Sequence, residues 1–166
     1  MFKVDELVMY GGTGVCKVIE IGRPDFSDDD RLYYFLEPVY QSGMIYAPVD
    51  SERVVMRPLI SSEEAKHLLD SIDEIHTEIY KTNSMQQLSA HYQKIIDTYR
   101  CEDLLSLTKS IYAKRIEALK NNKKLGQIDK RFMKKAEDLL YGEVATALHV
   151  DKSDVEEYVH TKLDEI

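Results

Sequence analysis

The first sixty residues alternate between apolar and polar positions with a period near two. Segments rich in Val, Ile, Tyr and Phe, the side chains that suit a pleated sheet, predict strands at LVMY, VCKVIEI, RLYYFLEPVY and MIYAPV. The Gly- and Asp-rich turns between them are 11–14, 23–30 and 41–43. Short strands at this spacing predict a small, strongly bent barrel, and Pro38 and Pro48 mark its edges or bulges.

After Pro58 the apolar period becomes helical. Capping patterns predict helix starts at Ser61 with Glu64 and at Ser84 with Gln87. The other predicted helices run from about Glu102 to Leu119, from near Asp129 to Leu148, and from Ser153 with Glu156. The sequence therefore predicts an α+β chain, with a small β-barrel domain over residues 1–60 and an all-helical domain of about five helices over 61–166.

The two cysteines, Cys16 and Cys101, are far apart in the chain and outside any CxxC spacing. This usage favours free thiols in a reducing compartment. The start of the chain shows no basic segment followed by a long apolar run, and no stretch approaches the roughly 20 apolar residues of a membrane span. We therefore expect a cytoplasmic protein.

Positive charge is concentrated in one part of an acidic chain. The formal net charge is -8, yet residues 109–135 contain 10 Lys and Arg against only Glu117 and Asp129. On a helix from Asp129 to Leu148, apolar side chains share one side, and the opposite side carries Lys130, Arg131 and Lys134, with Lys135 at its flank. A solvated helix face and a contact with a phosphate backbone both remain open for these residues.

Patterns that would indicate catalysis are weak. The five histidines never pair at metal-ligand spacing, and no Cys/His cluster occurs. GGTG lies between two predicted strands and is expected to be a turn, while the SxxK match of Ser106 and Lys109 has no companion motif. The acidic run 28–30 lacks the rest of a calcium loop and is expected to be a solvated hairpin tip. We predict no enzymatic activity, no metal and no cofactor.

Two long segments carry a resemblance to a known family. FKVDELVMYGGTGVCKVIEI, with Met44 to Pro48 and Arg57–Pro58, resembles the CarD/CdnL family of bacterial transcription regulators. The same module is similar to the polymerase-interacting domain of the transcription-repair coupling factor. DKRFMKKAEDLLYGEVATAL looks like the basic last long helix of the CarD C-terminal domain. The resemblance implies a Tudor-like or SH3-like barrel that binds the β subunit of RNA polymerase, a helical domain that contacts promoter DNA, and no catalytic activity or cofactor.

The resemblance also implies roles for particular residues. The expected polymerase contacts are Arg23, Tyr46, Arg53 and Arg57, with Tyr46 where well-known members carry an Arg. Lys130, Lys135 and Lys109 fall where the family places DNA-contacting cations, and the basic stretch adds Lys114, Arg131 and Lys134 to the expected DNA contacts. Leu88 stands where those members carry a DNA-wedging Trp, although its spacing with Tyr92 and Tyr99 favours a core position.

These observations lead to one hypothesis and two alternatives. The chain is expected to bind RNA polymerase by its barrel and to stabilise the open promoter complex through largely sequence-nonspecific contacts of its basic helices with DNA. The first alternative is an adaptor of RNA polymerase or another protein, without DNA contact, whose basic stretch meets an acidic protein surface. The second, a small hydrolase, has little support in the sequence. No membrane and no small-molecule substrate is expected as a partner.

Overall fold

The computed structural model describes residues 1–166. The chain divides into two compact units, Met1–Ile60 and Ser61–Ile166. The first contains all five strands and the second all five α-helices, so the predicted α+β class is confirmed.

The N-terminal unit is a five-stranded antiparallel sheet of the Tudor-like class. Its strands are β1 Leu7–Tyr10, β2 Gly14–Gly22, β3 Tyr33–Pro38, β4 Ile45–Pro48 and β5 Met56–Pro58, in the spatial order β4-β3-β2-β1-β5. The first four strands match the predicted segments, whereas β5 was not predicted. β4 and β5 are the two edges of the sheet.

One face of the sheet forms the core of this unit. The register pairs Val8 with Cys16 and Val18 with Leu36, and these four side chains are fully buried. A register shift between Val18 and Glu20 in β2 is typical of a β-bulge, which bends a strand and increases its twist. Burial also raises the pKa of the Cys16 thiol to about 11, so this thiol stays protonated at neutral pH.

The GGTG segment is a turn, as predicted. Gly11–Thr13 form one turn of 3-10 helix between β1 and β2. Gly11 has a φ of 40°, and a Cβ built on it would lie 2.5 Å from Cγ1 of Val54. Glycine is therefore required at this position both by the backbone conformation and by the close approach of the segment before β5.

The C-terminal unit contains α1 Ser62–Asp70, α2 Met85–Ile96, α3 Cys101–Lys120, α4 Gln127–Leu148 and α5 Lys152–Asp164. Ser61 and Glu64 make both hydrogen bonds of the predicted capping box, and the Ser84 hydroxyl accepts from the Gln87 amide at 3.2 Å. Two predicted starts are slightly wrong, because α4 begins at Gln127 and α5 follows the N-cap Asp151.

α4 is the central helix of this unit and packs against α1, α2, α3 and α5. Its inward side carries Phe132, Ala136, Leu139, Leu140 and Val144. α3 also packs against α2, so that its middle is buried on several sides. Among the helices, none combines the length and the apolar character needed to cross a membrane.

Candidate functional site

An exposed aromatic cluster lies at the β4 edge of the sheet. The Tyr46 ring meets the rings of Phe26 and Phe35 edge-on, with centroids 5.0 Å apart in both pairs. Phe26 also contacts Tyr33, at 6.3 Å. Phe26 and Tyr46 keep 65% and 41% of their surface exposed, so the cluster faces solvent rather than the core. Such a cluster offers a large apolar contact area with a polar hydroxyl at its centre.

Strand alternation explains why these rings gather on one face. Tyr34 and Leu36 of β3 point into the core, which leaves Tyr33 and Phe35 on the outer face. Phe35 lies directly opposite Tyr46 in the register between β3 and β4, where aromatic cross-strand pairs stabilise a sheet. Because β4 is an edge strand, its outer backbone edge adjoins the same cluster.

The loop between β2 and β3 places Phe26 over Tyr46. Ion pairs join Arg23 to Asp30 at 3.5 Å and Arg31 to Asp50 at 3.0 Å. The Ser27 hydroxyl donates to the Asp29 carboxylate at 2.6 Å, and this hydrogen bond lowers the pKa of Asp29. The acidic run thus lies in an exposed loop, where Asp29 and Asp30 contact side chains of the same loop.

The four predicted polymerase contacts are not all in one place. Arg23 belongs to the loop that carries Phe26, so it accompanies Tyr46. Arg53 is exposed in the segment between β4 and β5. Arg57 lies on β5, at the other edge in the strand order, and donates to the Pro58 carbonyl at 3.0 Å. A cavity of about 390 Å³ is lined by residues of both edge strands, including Ala47 and Met56.

A basic surface lies in the helical unit, at the end of α3 and the start of α4. A cavity of about 300 Å³ there has four cationic side chains in its lining. These are Arg115, Lys124, Lys130 and Lys134, and together they are called the basic surface below. Leu119, Leu125 and Met133 supply its apolar part, and Glu137 is its single acid. Several cations around one concave site favour an anionic partner.

The other predicted cations of α4 lie next to this surface. Lys130 and Lys134 are four residues apart and share one row of the helix, whereas Arg131 and Lys135 form the neighbouring row. The Arg131 guanidinium lies 5.0 Å from the Phe132 ring, and Lys134 pairs with Asp138 at 3.2 Å. Both contacts leave the charged groups of Arg131 and Lys134 at the surface.

Lys109 does not lie at the surface, in contrast to its predicted DNA contact. Only 8% of the residue is exposed. Its ammonium donates to three backbone carbonyls, those of Ile72 at 2.7 Å, Asp73 at 3.1 Å and Ile75 at 2.9 Å. These carbonyls follow the end of α1, where backbone acceptors need partners. Lys109 therefore fastens the segment after α1 to α3, and we leave it out of the basic surface.

Lys114 is likewise turned inward. Its ammonium lies 2.9 Å from Oδ1 of the buried Asp129 and donates to the Tyr80 carbonyl at 3.3 Å. The Tyr92 hydroxyl donates to the same Asp129 oxygen at 2.6 Å. The pKa of Tyr92 is raised, mainly by burial and secondly by this hydrogen bond to a carboxylate. The three side chains link α2, α3 and α4, so Lys114 also stays outside the basic surface.

Leu88 is a core residue in this structure. It lies on α2 and retains 9% of its surface. Its neighbours Tyr92 and Ile96 on the same side of the helix are more deeply buried still. The position agrees with the core interpretation of the sequence and leaves little of the side chain available for a DNA groove.

Four residues of these surfaces have no role among the sequence-based predictions. Phe26 lies in a predicted turn and Phe35 in a predicted strand. Arg115 and Lys124 were counted in the basic stretch without a role. The alternation that buries Tyr34 was the available signal for Phe35, while the convergence of α3 and α4 on one cavity had no signal in the sequence.

Comparison with known proteins assigns the N-terminal unit. Residues 2–60 match the CarD-like/TRCF RID domain family, and this range includes all five strands. No curated protein matches the chain.

Proposed function

We propose that this chain, whose residues 2–60 match the CarD-like/TRCF RID domain family, is a transcription-related protein that interacts with RNA polymerase, and that its two units have different roles. The N-terminal unit binds the polymerase β subunit. The helical unit contacts promoter DNA through the basic surface and stabilises the open complex. The chain acts in the cytoplasm, needs no cofactor and catalyses no reaction.

The β4 edge and its aromatic cluster support the binding role of the first unit. An exposed edge strand can pair with a strand of the partner through main-chain hydrogen bonds, and side chains beside it select the partner. Tyr46 stands at the centre of the cluster, with Phe26 and Phe35 against it, and Tyr and Arg are the residues that most often dominate interface energy. Arg23, Arg53 and Arg57 are the accompanying charged contacts of the proposal.

The basic surface is the main support for the proposed DNA contact. Arg115, Lys124, Lys130 and Lys134 line one cavity, and Arg131 and Lys135 extend the charge along α4. Each phosphate neutralised by such a cation releases condensed counterions, which favours binding without reading the base sequence. The net charge of -8 opposes DNA binding by the rest of the surface, so the contact is local.

Because the first unit tethers the protein to the polymerase, weak DNA binding by the helical unit is sufficient for this role. Once the first unit holds the polymerase, the helical unit meets promoter DNA at an effective concentration on the order of millimolar. Contacts that would be negligible for the free protein then prolong the life of the open complex. This reconciles an acidic chain with a DNA-contacting role.

The alternative function is an adaptor whose basic surface meets an acidic protein. The apolar residues in the same cavity favour it, because Leu119 is 54% exposed and a phosphate backbone gains nothing from it. The two functions differ in whether the contact made by the basic surface requires DNA.

Binding of full-length variants to purified core polymerase tests the proposal. Tyr46→Ala is expected to weaken binding about 30-fold, the factor for a hot-spot loss of about 2 kcal/mol. Arg53→Glu should weaken it by a smaller factor. Tyr158→Ala removes an exposed tyrosine of the helical unit and is the matched control, with binding like that of the unaltered protein. Unchanged binding by Tyr46→Ala would contradict the assignment of the aromatic cluster.

The second arm concerns DNA. Changing Lys130, Arg131, Lys134 and Lys135 to Glu should leave polymerase binding intact and abolish protection of promoter DNA in the complex. Loss of a contact that persists without DNA would instead support the adaptor. Promoter protection equal to that of the unaltered protein, in a variant with a normal circular dichroism spectrum, would exclude DNA contact by the basic surface.

A further inference from the structure

A second group of polar side chains lies where α5 packs on α4. It consists of Glu137 from α4 and of Glu156 and His160 from α5. One ligand atom of each residue lies within 4.8 Å of those of the other two. Nε2 of His160 and Oε2 of Glu137 are 2.8 Å apart. Histidine spacing along the chain does not indicate this group, because its third member comes from another helix.

Helix geometry explains the convergence. Val155, Val159 and Leu163 form the buried side of α5, which faces α4. Glu156 and His160 each follow one of these valines and are four residues apart, so they lie on the same side of the helix, one turn from each other. Two ligands at this spacing on one helix are a common way of holding a metal ion. Glu137 completes the set from the facing helix.

A buried tyrosine supports a ligand at this place. Tyr141 follows Glu137 by one turn of α4, is 2% exposed, and its hydroxyl has no hydrogen-bond partner of ordinary geometry. Its ring meets the His160 ring edge-on at 6.3 Å between centroids. Burial, and then the charge of the Glu137 carboxylate and its interaction with the Tyr141 hydroxyl, raise the pKa of Tyr141. Buried hydroxyls normally make well-formed hydrogen bonds, whereas this one approaches Glu137 without completing one.

We propose that Glu137, Glu156 and His160 form a site for a divalent transition-metal ion of the zinc type. One imidazole and two carboxylates are ligands that zinc accepts, with a water molecule in the fourth position. Magnesium and calcium prefer sets made only of oxygen, so the imidazole selects against them. The Tyr141 hydroxyl then donates to a metal-bound carboxylate, which orients that ligand.

The site needs only small side-chain movements. Ligands about 2.0–2.2 Å from a tetrahedral ion lie roughly 3.3 Å from one another. The His160 and Glu137 atoms are already closer than this, and the ion replaces the direct contact between them. Glu156 is exposed, and a carboxylate oxygen of it lies within 4.8 Å of the ligand atoms of Glu137 and His160. The side chain of Glu137 is 16% exposed, so the ion would be only partly accessible to water.

The consequence of binding is a link between two helices. An ion held by Glu137 on one side and by Glu156 and His160 on the other joins α5 to α4. A ligand that binds only the folded state raises its stability as the ion concentration increases. This inference does not depend on the polymerase and DNA contacts proposed above. It uses none of their cationic or aromatic residues, and the only residue that it shares with the cavity of the basic surface is Glu137.

The test is titration of the metal-free full-length protein with zinc chloride in competition with a chromophoric chelator. The unaltered protein is expected to bind one ion. His160→Gln and Glu156→Gln should each weaken this binding at least about tenfold. His76→Gln alters an exposed histidine of another surface and should bind as the unaltered protein does. Magnesium chloride should not compete.

A second measurement separates the site from general stability. Tyr141→Phe removes only a hydroxyl that makes no well-formed hydrogen bond. The metal-free variant should therefore unfold at the temperature of the unaltered protein while binding zinc about tenfold more weakly. Zinc should raise the melting temperature of the unaltered protein and not that of Glu156→Gln. No binding of one ion, or equal binding by His160→Gln and Glu156→Gln, would overturn the proposal.

Discussion

The two halves of the basic stretch 109–135 use the same kind of side chain for opposite purposes. Lys109 and Lys114 of α3 bind inside the helical unit, one to three carbonyls and the other to Asp129. Lys130 and Lys134 of α4 stay at the surface and line a cavity with other cations. A count of charges along the chain cannot distinguish a lysine that binds buried acceptors from one that lies at the surface.

The packing of the helices accounts for the difference. Five consecutive residues of α3, Leu107 to Ile111, are buried, because α3 meets neighbours on several sides. A lysine in such a run must bring its charge to buried acceptors, and the unpaired carbonyls after α1 supply them. The first turns of α4 have one solvent-exposed side, so their lysines extend into water.

Leu88 and Met85 of α2 give the largest expected contrast between an inward and an outward position. Leu88 is 9% exposed and Met85 is 71% exposed. Leu88→Ala should lower the free energy of unfolding by about 2–5 kcal/mol, since it leaves a cavity. Met85→Ala should change it by less than about 0.5 kcal/mol, and Leu88→Trp should disrupt packing or fail to lengthen open-complex life. Chemical denaturation measures the first two effects; a Leu88→Ala protein of normal stability with shorter-lived open complexes would make Leu88 a DNA wedge.

Lys109 and Lys130 form the next pair. Lys109→Met leaves three carbonyls without their donor and should cost about 2–3 kcal/mol of unfolding free energy. Lys130→Met should cost less than about 0.5 kcal/mol but lower the salt slope of DNA binding in the polymerase complex by about one. Urea denaturation and binding titrations at several salt concentrations measure both effects. The comparison fails if Lys109→Met leaves stability intact while reducing the salt slope.

Tyr92 and Tyr158 give the smallest contrast. The Tyr92 hydroxyl donates to the buried Asp129 carboxylate at 2.6 Å, whereas Tyr158 is 38% exposed. Tyr92→Phe should lower the free energy of unfolding by about 1.5 kcal/mol, because a bond to a buried carboxylate is lost. Tyr158→Phe should leave it unchanged. Equal stability of the two variants would show that Lys114 alone satisfies Asp129.

Much of the fold follows from local sequence signals. Alternation identified β1 to β4, and the cap at Ser61 identified the start of α1 to the residue. β5 was not predicted, because Met56–Pro58 is only three residues long and shows no alternation. The start of α4 was misplaced because its N-cap is Gly126, which has no side chain to signal a cap.

The candidate site was predictable only where the chain is exposed. Lys130 and Lys134 followed from the apolar side of α4, which fixes the opposite side as polar. The position of Lys109 did not, because the middle of α3, from Leu107 to Ile111, is buried on every side and periodicity cannot identify an exposed side there. The group at Glu137 and His160 depends on how α5 packs on α4, a contact that no local pattern contains.

The lifetime of the open promoter complex, measured against salt concentration, tests the central claim most directly. The protein with Lys130, Arg131, Lys134 and Lys135 changed to Glu is compared with the unaltered protein, both saturating the polymerase. The unaltered protein should lengthen the lifetime at low salt, and this gain should shrink steeply as salt rises. The variant should bind polymerase equally and give no gain at any salt concentration. A gain that persists in the variant, or one that salt does not diminish, would contradict the claim that α4 steadies the open complex through phosphate contacts.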